Sequence, residues 1–196
     1  MYHQYREGWL EVICGCMFSG KTEELIRRIN VLSYAKKNII VFKPKRDNRF
    51  SNTEIVSHSG VKVPCLVVEK AQDILKLIKD DSEVVAIDEV QFFDNDIVDV
   101  CEYLADKGLR VMVAGLDSDF RGESYPVTAL LLTRAEFVNK LTAVCAKCGA
   151  PATRTQRLVN GKPASFKDPV LLIGSTEHYE PRCRHCHEVR NRPSKF

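Results

Sequence analysis

Gly15-Cys16-Met17-Phe18-Ser19-Gly20-Lys21-Thr22 has the spacing G-x-x-x-x-G-K-[ST], and that spacing serves the capture of a phosphate chain. Two glycines let the backbone curl around an anion, so that successive N–H groups and a helix N-terminus point at phosphate oxygens. In such a loop Lys21 reaches the β and γ phosphates, and the Thr22 hydroxyl can ligate Mg²⁺. A second candidate is the acid pair Asp88-Glu89, directly after Val84-Val85-Ala86-Ile87. An acid at the C-terminal end of a buried strand faces the ligand crevice of an open α/β sheet. Asp88 would then hold Mg²⁺, directly or through water. Glu89 could take a proton from an attacking hydroxyl or water, a contribution of ~10²–10⁴-fold. Taken alone, the pair would more simply cap a strand and solvate the turn; downstream of a phosphate loop the functional reading is favoured.

Cys145-Ala146-Lys147-Cys148 and Cys183-Arg184-His185-Cys186 are two C-x-x-C knuckles. Four thiolates suit tetrahedral Zn²⁺, and two-residue spacing lets one tight turn present both sulfurs to one metal. A single pair could be redox-active, and four thiolates also suit an iron–sulfur cluster, but two pairs in a stretch of changed composition favour structural zinc. His185 and His187 could substitute as ligands or stand as neighbours. The stretch between the knuckles is long, so a metal there would pin both ends of an excursion with little core of its own. Structural zinc can supply ~10–16 kcal/mol of apparent binding energy. Such a tethered loop could be a substrate lid, or merely a surface ribbon. The other cysteines, Cys14, Cys16, Cys65 and Cys101, read as buried free thiols.

These groups need elements to position them. Trp9 to Cys14 reads as a buried strand before the phosphate loop, and Leu25, Ile26, Ile29 and Leu32 recur at helical spacing after it. Asn38 to Phe42 is a second strand, and residues 46–59 read as a long polar loop. Val61 to Val68 looks like a strand at an edge or interruption, because it contains Pro64. A helix is expected over 71–79, with Ile74, Leu75 and Ile78 as its apolar stripe, and another over 94–107. The strands are then 83–87 and 109–116. Extended pieces at Arg154-Thr155 and Val170 to Gly174 look paired, with a turn at Asn160-Gly161. The alternation predicts an α/β phosphate-loop domain over 1–141 and a small zinc-binding domain over 142–196. Hydrophobic content of 44%, charged content of 28% and a net charge of +3 make no strong case for nucleic acid or an anionic membrane. The start lacks the apolar core of a signal peptide and no run reaches a membrane span, so a cytoplasmic protein is expected.

In this order the elements resemble the zinc-bearing, type II thymidine kinases. The resemblance rests on Met17 to Thr22, on Lys43 to Arg49, on Ile87-Asp88-Glu89-Val90-Gln91-Phe92-Phe93, on Gly115-Leu116-Asp117-Ser118-Asp119-Phe120-Arg121, and on both knuckles with Tyr179 between them. It implies a mainly parallel, recombinase-like core with a zinc domain carrying a lasso loop. It also implies ATP and thymidine as substrates, deoxyuridine as a further acceptor, Mg²⁺ with ATP, structural Zn²⁺, a homotetramer, and inhibition by thymidine triphosphate. By resemblance Glu89 is the catalytic base, and Gly15, Met17, Phe18, Ser19, Gly20, Lys21, Thr22, Asp88, Asp47 and Arg49 bind ATP. Met17, Phe92, Leu116, Phe120, Thr155 and Tyr179 line the base pocket, and backbone of Val170, Leu171, Leu172, Ile173 and Gly174 reads the base edge. Cys145, Cys148, Cys183 and Cys186 hold the metal. Phe92 and Phe120 could also be ordinary core aromatics. Cys16 stands where proline or serine is usual, and Thr22 where serine is commoner. Two other classes compete. A nucleic-acid-dependent ATPase would need a basic stripe, and Arg182, Arg184, Arg190 and Arg192 form the only local cluster. A nucleoside-monophosphate kinase would need arginines converging on the acceptor phosphate.

Overall fold

Short apolar runs without polar alternation form strands buried on both faces, and such runs make the centre of a six-stranded parallel sheet whose two edge strands are more exposed. The computed structural model describes residues 8–45, 53–56, 60–170 and 177–194. In chain order, β1 (Trp9–Gly15) leads through the phosphate-loop segment into α1 (Lys21–Tyr34) and β2 (Ile39–Pro44). A small antiparallel hairpin follows, β3 (Glu54–Val56) against β4 (Lys62–Pro64), then β5 (Leu66–Val68), α2 (Ala71–Leu77) and β6 (Val84–Ile87). A 3₁₀ turn at Val90–Phe92 precedes α3 (Asp96–Asp106), β7 (Arg110–Leu116), α4 (Pro126–Arg134) and β8 (Phe137–Leu141). The sheet order is β5-β2-β6-β7-β1-β8, and every pairing in it is parallel.

Successive strand residues face opposite ways, so each strand feeds two cores. Leu10, Val12, Cys14, Val85, Ile87, Val111 and Val113 pack on one face with α2, α3 and α4. Ile13, Val41, Ala86, Met112 and Ala114 pack on the other with Leu25, Ile26 and Ile29 of α1. Each such aliphatic side chain contributes roughly 1.5–3 kcal/mol when fully buried, so α1 is anchored by its three core residues alone. Gly15↔Leu116 and Ile87↔Val113 register brings the C-terminal ends of β1, β6 and β7 to one edge of the sheet. Loops from three strands therefore converge there, which is where an open parallel sheet binds ligands.

After β8 the chain forms β9 (Ala143–Val144), β10 (Pro151–Ala152), β11 (Arg154–Val159), β12 (Lys162–Pro163) and β13 (Glu177–Arg182). β11 is the middle strand of a three-stranded antiparallel sheet, between β12 and β13. The turn into β12 is at Asn160-Gly161, both with positive φ, as expected. An α/β core with a parallel sheet is thus joined to a separate C-terminal element around four cysteines. Among the described residues no helix is long and apolar enough to cross a membrane.

Several elements differ from the sequence expectation. The stretch 46–59 is not all loop, because Glu54–Val56 pairs with β4 and buries Ile55. Residues 61–68 are two strands in two sheets: Lys62–Pro64 pairs with β3, Cys65 N–H still donates to the Thr53 carbonyl, and Leu66–Val68 then joins β2. Cys65 is consequently half-buried rather than buried. The helix from Ala71 stops at Leu77, with Ala71 and Ile74 inward and Leu75 exposed. The partner of β11 is β13, not residues 170–174; Val170 lies in a bend, and 171–174 fall outside the described residues.

Candidate active site and metal centre

The phosphate-loop segment leaves β1 at Gly15, whose φ is 150°; a Cβ there would sit 2.5 Å from the Leu141 carbonyl oxygen and 2.8 Å from Ser19 Oγ. Only glycine lets the chain pass this close to β8. Phe18 and Gly20 also have positive φ, which curls the backbone before α1 begins at Lys21. Ser19 Oγ and Lys21 Nζ each donate to the Cys16 carbonyl at 2.8 Å, closing the curl from inside. Two further bonds tie the loop to the C-terminal element. Met17 N–H donates to Thr155 Oγ1 at 3.1 Å, and Cys16 Sγ–H to the Ala152 carbonyl at 3.4 Å. Burial pushes the Cys16 thiol pKa up, against the pull of Lys21, so it stays a neutral donor.

Across the sheet edge, Thr22 Oγ1 donates to Asp88 Oδ2 at 3.1 Å. Asp88 is 6% exposed. Burial first, then the adjacent Glu89 carboxylate, pushes its pKa up to about 7, although the Glu89 N–H, the Thr22 hydroxyl and Lys21 favour the charge. A carboxylate and a hydroxyl on one side of a phosphate loop form an oxygen donor set of the kind Mg²⁺ takes. Glu89 itself is held at φ 51°, ψ 40°, the left-handed region. For a non-glycine residue that costs ~1–2 kcal/mol, and the turn it makes lifts the carboxylate out of the strand line. Gln91 Nε2 donates to Glu89 Oε2, while Gln91 Oε1 accepts from Leu116 N–H at 3.0 Å. One side chain thereby joins the end of β6 to the end of β7.

The aromatic candidates separate. Phe92 is half-buried and meets the Tyr125 ring edge-on, with centroids 6.4 Å apart. Phe120 is 3% exposed, and the guanidinium of the fully buried Arg157 lies 4.4 Å from its centroid. Arg157 Nη1 also donates to the Pro169 carbonyl at 2.7 Å, and Tyr179 faces Arg157 across the β11–β13 ladder. Leu116 and Thr155 are buried, and Met17 and Val170 half-buried. Asp47, Arg49, Leu171, Leu172, Ile173 and Gly174 lie outside the described residues.

The sulfurs of Cys145, Cys148, Cys183 and Cys186 all lie within 4.8 Å of one another, with Cys148 and Cys183 3.6 Å apart. A tetrahedral ZnS₄ centre with Zn–S near 2.3 Å needs S···S of about 3.8 Å, so these residues fit structural zinc. Burial opposes ionisation of Cys145, but the backbone N–H groups of Cys183, Lys147 and Cys148 outweigh it and bring that thiol down to about 6. This is the donor pattern of a metal knuckle. His185 is exposed, whereas His187 is half-buried with Nε2 2.8 Å from the Phe120 carbonyl. Burial lowers the His187 pKa, and the neutral ring donates to that carbonyl. Neither histidine belongs to the four-sulfur group.

The sequence model of the family described as thymidine kinase matches residues 8–187. The chain belongs to the thymidine kinase family. Among solved structures it is similar to the Legionella pneumophila ATPase DotB, at 12% identity and a TM-score of 0.42. That likeness covers 76% of this chain and 43% of DotB, so the chain spans less than half of that ATPase's length. Within this thymidine kinase family member, sequence reasoning passed over Gln91 and Arg157. Gln91 stands inside a quoted motif, and its signal was Gly115, the small residue that makes room for it. Arg157 gave no comparable signal, since a charged residue in a short polar strand reads as solvent-facing.

Proposed function

We propose that the protein transfers the γ-phosphate of ATP to the 5′-hydroxyl of thymidine, with deoxyuridine as a further acceptor, giving the monophosphate for DNA synthesis. The observation that carries this reading is the convergence of Thr22, Asp88 and Glu89 at one sheet edge, with Thr22 Oγ1 3.1 Å from Asp88. Gly15, Met17, Phe18, Ser19 and Gly20 cradle the phosphates with their backbone, and Lys21 neutralises the β and γ oxygens. Asp47 and Arg49 belong to the same phosphate region. Thr22 and Asp88 would hold Mg²⁺, which would neutralise charge developing on the phosphates. As the 5′-oxygen attacks the γ-phosphorus, Glu89 accepts the hydroxyl proton, and the bond to the β-phosphate oxygen breaks with its electron pair leaving on ADP. Met17, Phe92, Leu116, Phe120, Thr155 and Tyr179 form the flat apolar walls, and backbone from Val170 to Gly174 reads the base edge. A methyl recess discriminates by only ~1–3 kcal/mol, so rejection of other bases falls to those hydrogen bonds.

The core is of the recombinase type in this reading, supported by β7 lying between the phosphate-loop strand β1 and the acid-bearing β6. The chain divides at 141/142, and residues between the knuckles form a lasso pinned by zinc. A cytoplasmic homotetramer inhibited by thymidine triphosphate completes the proposal. One assay tests it: thymidine and thymidine monophosphate are compared as acceptors of labelled phosphate from ATP, with and without DNA. Product from thymidine alone, lost in Lys21→Ala, supports the reading. Product from the monophosphate, or hydrolysis stimulated by DNA, overturns it.

A further inference from the structure

The geometry assigns Gln91 a role in the reaction: it is the positioning residue that fixes the Glu89 carboxylate, and its own orientation is dictated by the Leu116 backbone. This rests on the reading of Glu89 as base. The chemistry of the two contacts fixes the amide's direction. Leu116 N–H can only donate, so the Gln91 oxygen must face it, and the 3.0 Å bond does so. The amide nitrogen is thereby forced toward Glu89, where it can only donate to the carboxylate. Reversing the amide would set N–H against N–H and oxygen against carboxylate. Gln91 is 6% exposed, so water offers no cheap substitute for either partner.

Space for this arrangement is built into β7. A Cβ on Gly115 would lie 2.6 Å from Gln91 Oε1, inside any real contact, so the absence of a side chain at 115 lets the amide lie against the strand. Glu89 needs such a brace. It occupies a left-handed turn beside the buried Asp88. A donor on Oε2 fixes the direction from which the Glu89 carboxylate meets the acceptor hydroxyl.

Among the described residues, the charged groups near this turn include Asp88 and Lys21 at the phosphate loop, and Lys43 at the end of β2, bound to the Glu54 carbonyl. Beyond β7 are Asp117, paired with Lys140, and Asp119, paired with Arg121; on α4 Arg134 is paired with Glu102. A change at position 91 alters none of these residues, so it can be read through kcat against KM.

The test measures kcat and both KM values for wild type, Gln91→Glu, Gln91→Leu, Glu89→Gln and the double variant Glu89→Gln/Gln91→Leu. In Gln91→Glu one oxygen still accepts from Leu116, but the other now faces Glu89 with no proton to donate and turns its carboxylate away. The variant should therefore lose kcat by ~10–100-fold, with KM for MgATP unchanged. Gln91→Leu should lower kcat by ~10–100-fold without adding to the loss already present in Glu89→Gln. If Glu89→Gln abolishes turnover but Gln91→Glu and Gln91→Leu keep normal kcat, the positioning role is wrong and the base assignment stands. If Glu89→Gln keeps normal kcat, the base assignment itself fails. A rise in KM for MgATP instead of a change in kcat would show that position 91 acts on Asp88, which also overturns the proposal.

Discussion

Gly115→Ala probes the packing of the site most directly, because its effect can be worked out from contacts. The added Cβ would lie 2.6 Å from Gln91 Oε1 and 2.8 Å from Val90 Cγ1. Val90 is fully buried and β-branched, so it cannot swing aside; Gln91 is bonded at both ends of its amide. Two costs follow. Overpacking a well-filled interior costs ~1–3 kcal/mol. Displacing Gln91 leaves the Leu116 N–H buried without its acceptor, a further ~1–3 kcal/mol. Together they predict a loss of about 2–6 kcal/mol. At roughly 2–4 °C per kcal/mol for a chain of this size, Tm should fall by ~4–24 °C. Thermal melts and urea titrations of Gly115→Ala would be run beside Gly161→Ala. Residue 161 has φ 72° with nothing within 4 Å of the added carbon, so only backbone strain of ~1 kcal/mol is expected there. If the two variants lose the same small amount, the Gln91 amide does not lie against Gly115, and the brace on Glu89 loses its basis.

Asp88 has a folded pKa raised to about 7, so its stabilising contribution is complete below its unfolded value, near ~3.9, and is lost as pH rises through 7. In nucleotide-free, magnesium-free protein, Asp88→Asn should therefore gain on wild type between pH 5 and pH 8, by ~1–4 kcal/mol; denaturant midpoints at both pH values check this, and a constant gap would refute it. Thr155→Val removes the acceptor of the Met17 N–H and should cost ~1–3 kcal/mol, with faster hydrogen exchange at Met17, while Thr155→Ser should behave as wild type. Chelation of zinc, or Cys183→Ser, should open residues 145–187 to protease before the parallel sheet; equal resistance with the metal shown to be gone would refute the tether. Tyr179→Ala should raise KM for thymidine strongly and KM for ATP little, and steady-state kinetics with each substrate varied in turn would show it.

The parts of the fold that could be read from sequence are those where one physical term dominates. Val84 to Ile87 and Arg110 to Leu116 are buried on both faces, and their uninterrupted apolar runs say so. β13 could not be found this way: Glu177-His178-Tyr179-Glu180-Pro181-Arg182 is polar and carries a proline, and it is a strand because β11 offers it a ladder. β3 and β4 are three-residue strands, too short for periodicity to register. The metal ligands were legible because spacing alone presents the sulfurs. The bond between Gln91 and Leu116 was hidden because it joins residues 25 positions apart, and such a contact is a property of sheet order.

Strand β1 is made before every other described element, yet its ladder partners are β7 and β8, and its outgoing loop is bonded to Ala152 and Thr155, 136 and 138 positions further on. At a synthesis rate of roughly 5–20 residues per second, those partners emerge ~7–30 s after the loop itself. Until β7 and β8 have been made, β1 is an apolar strand with both edges unpaired, a ready template for intermolecular pairing. The two bonds that tie its outgoing loop to the C-terminal element form only once Ala152 and Thr155 have followed. Partial chains should be exposed to chaperones and to aggregation rather than to premature nucleotide capture, and the C-terminal element serves as the catch that locks the loop leaving β1.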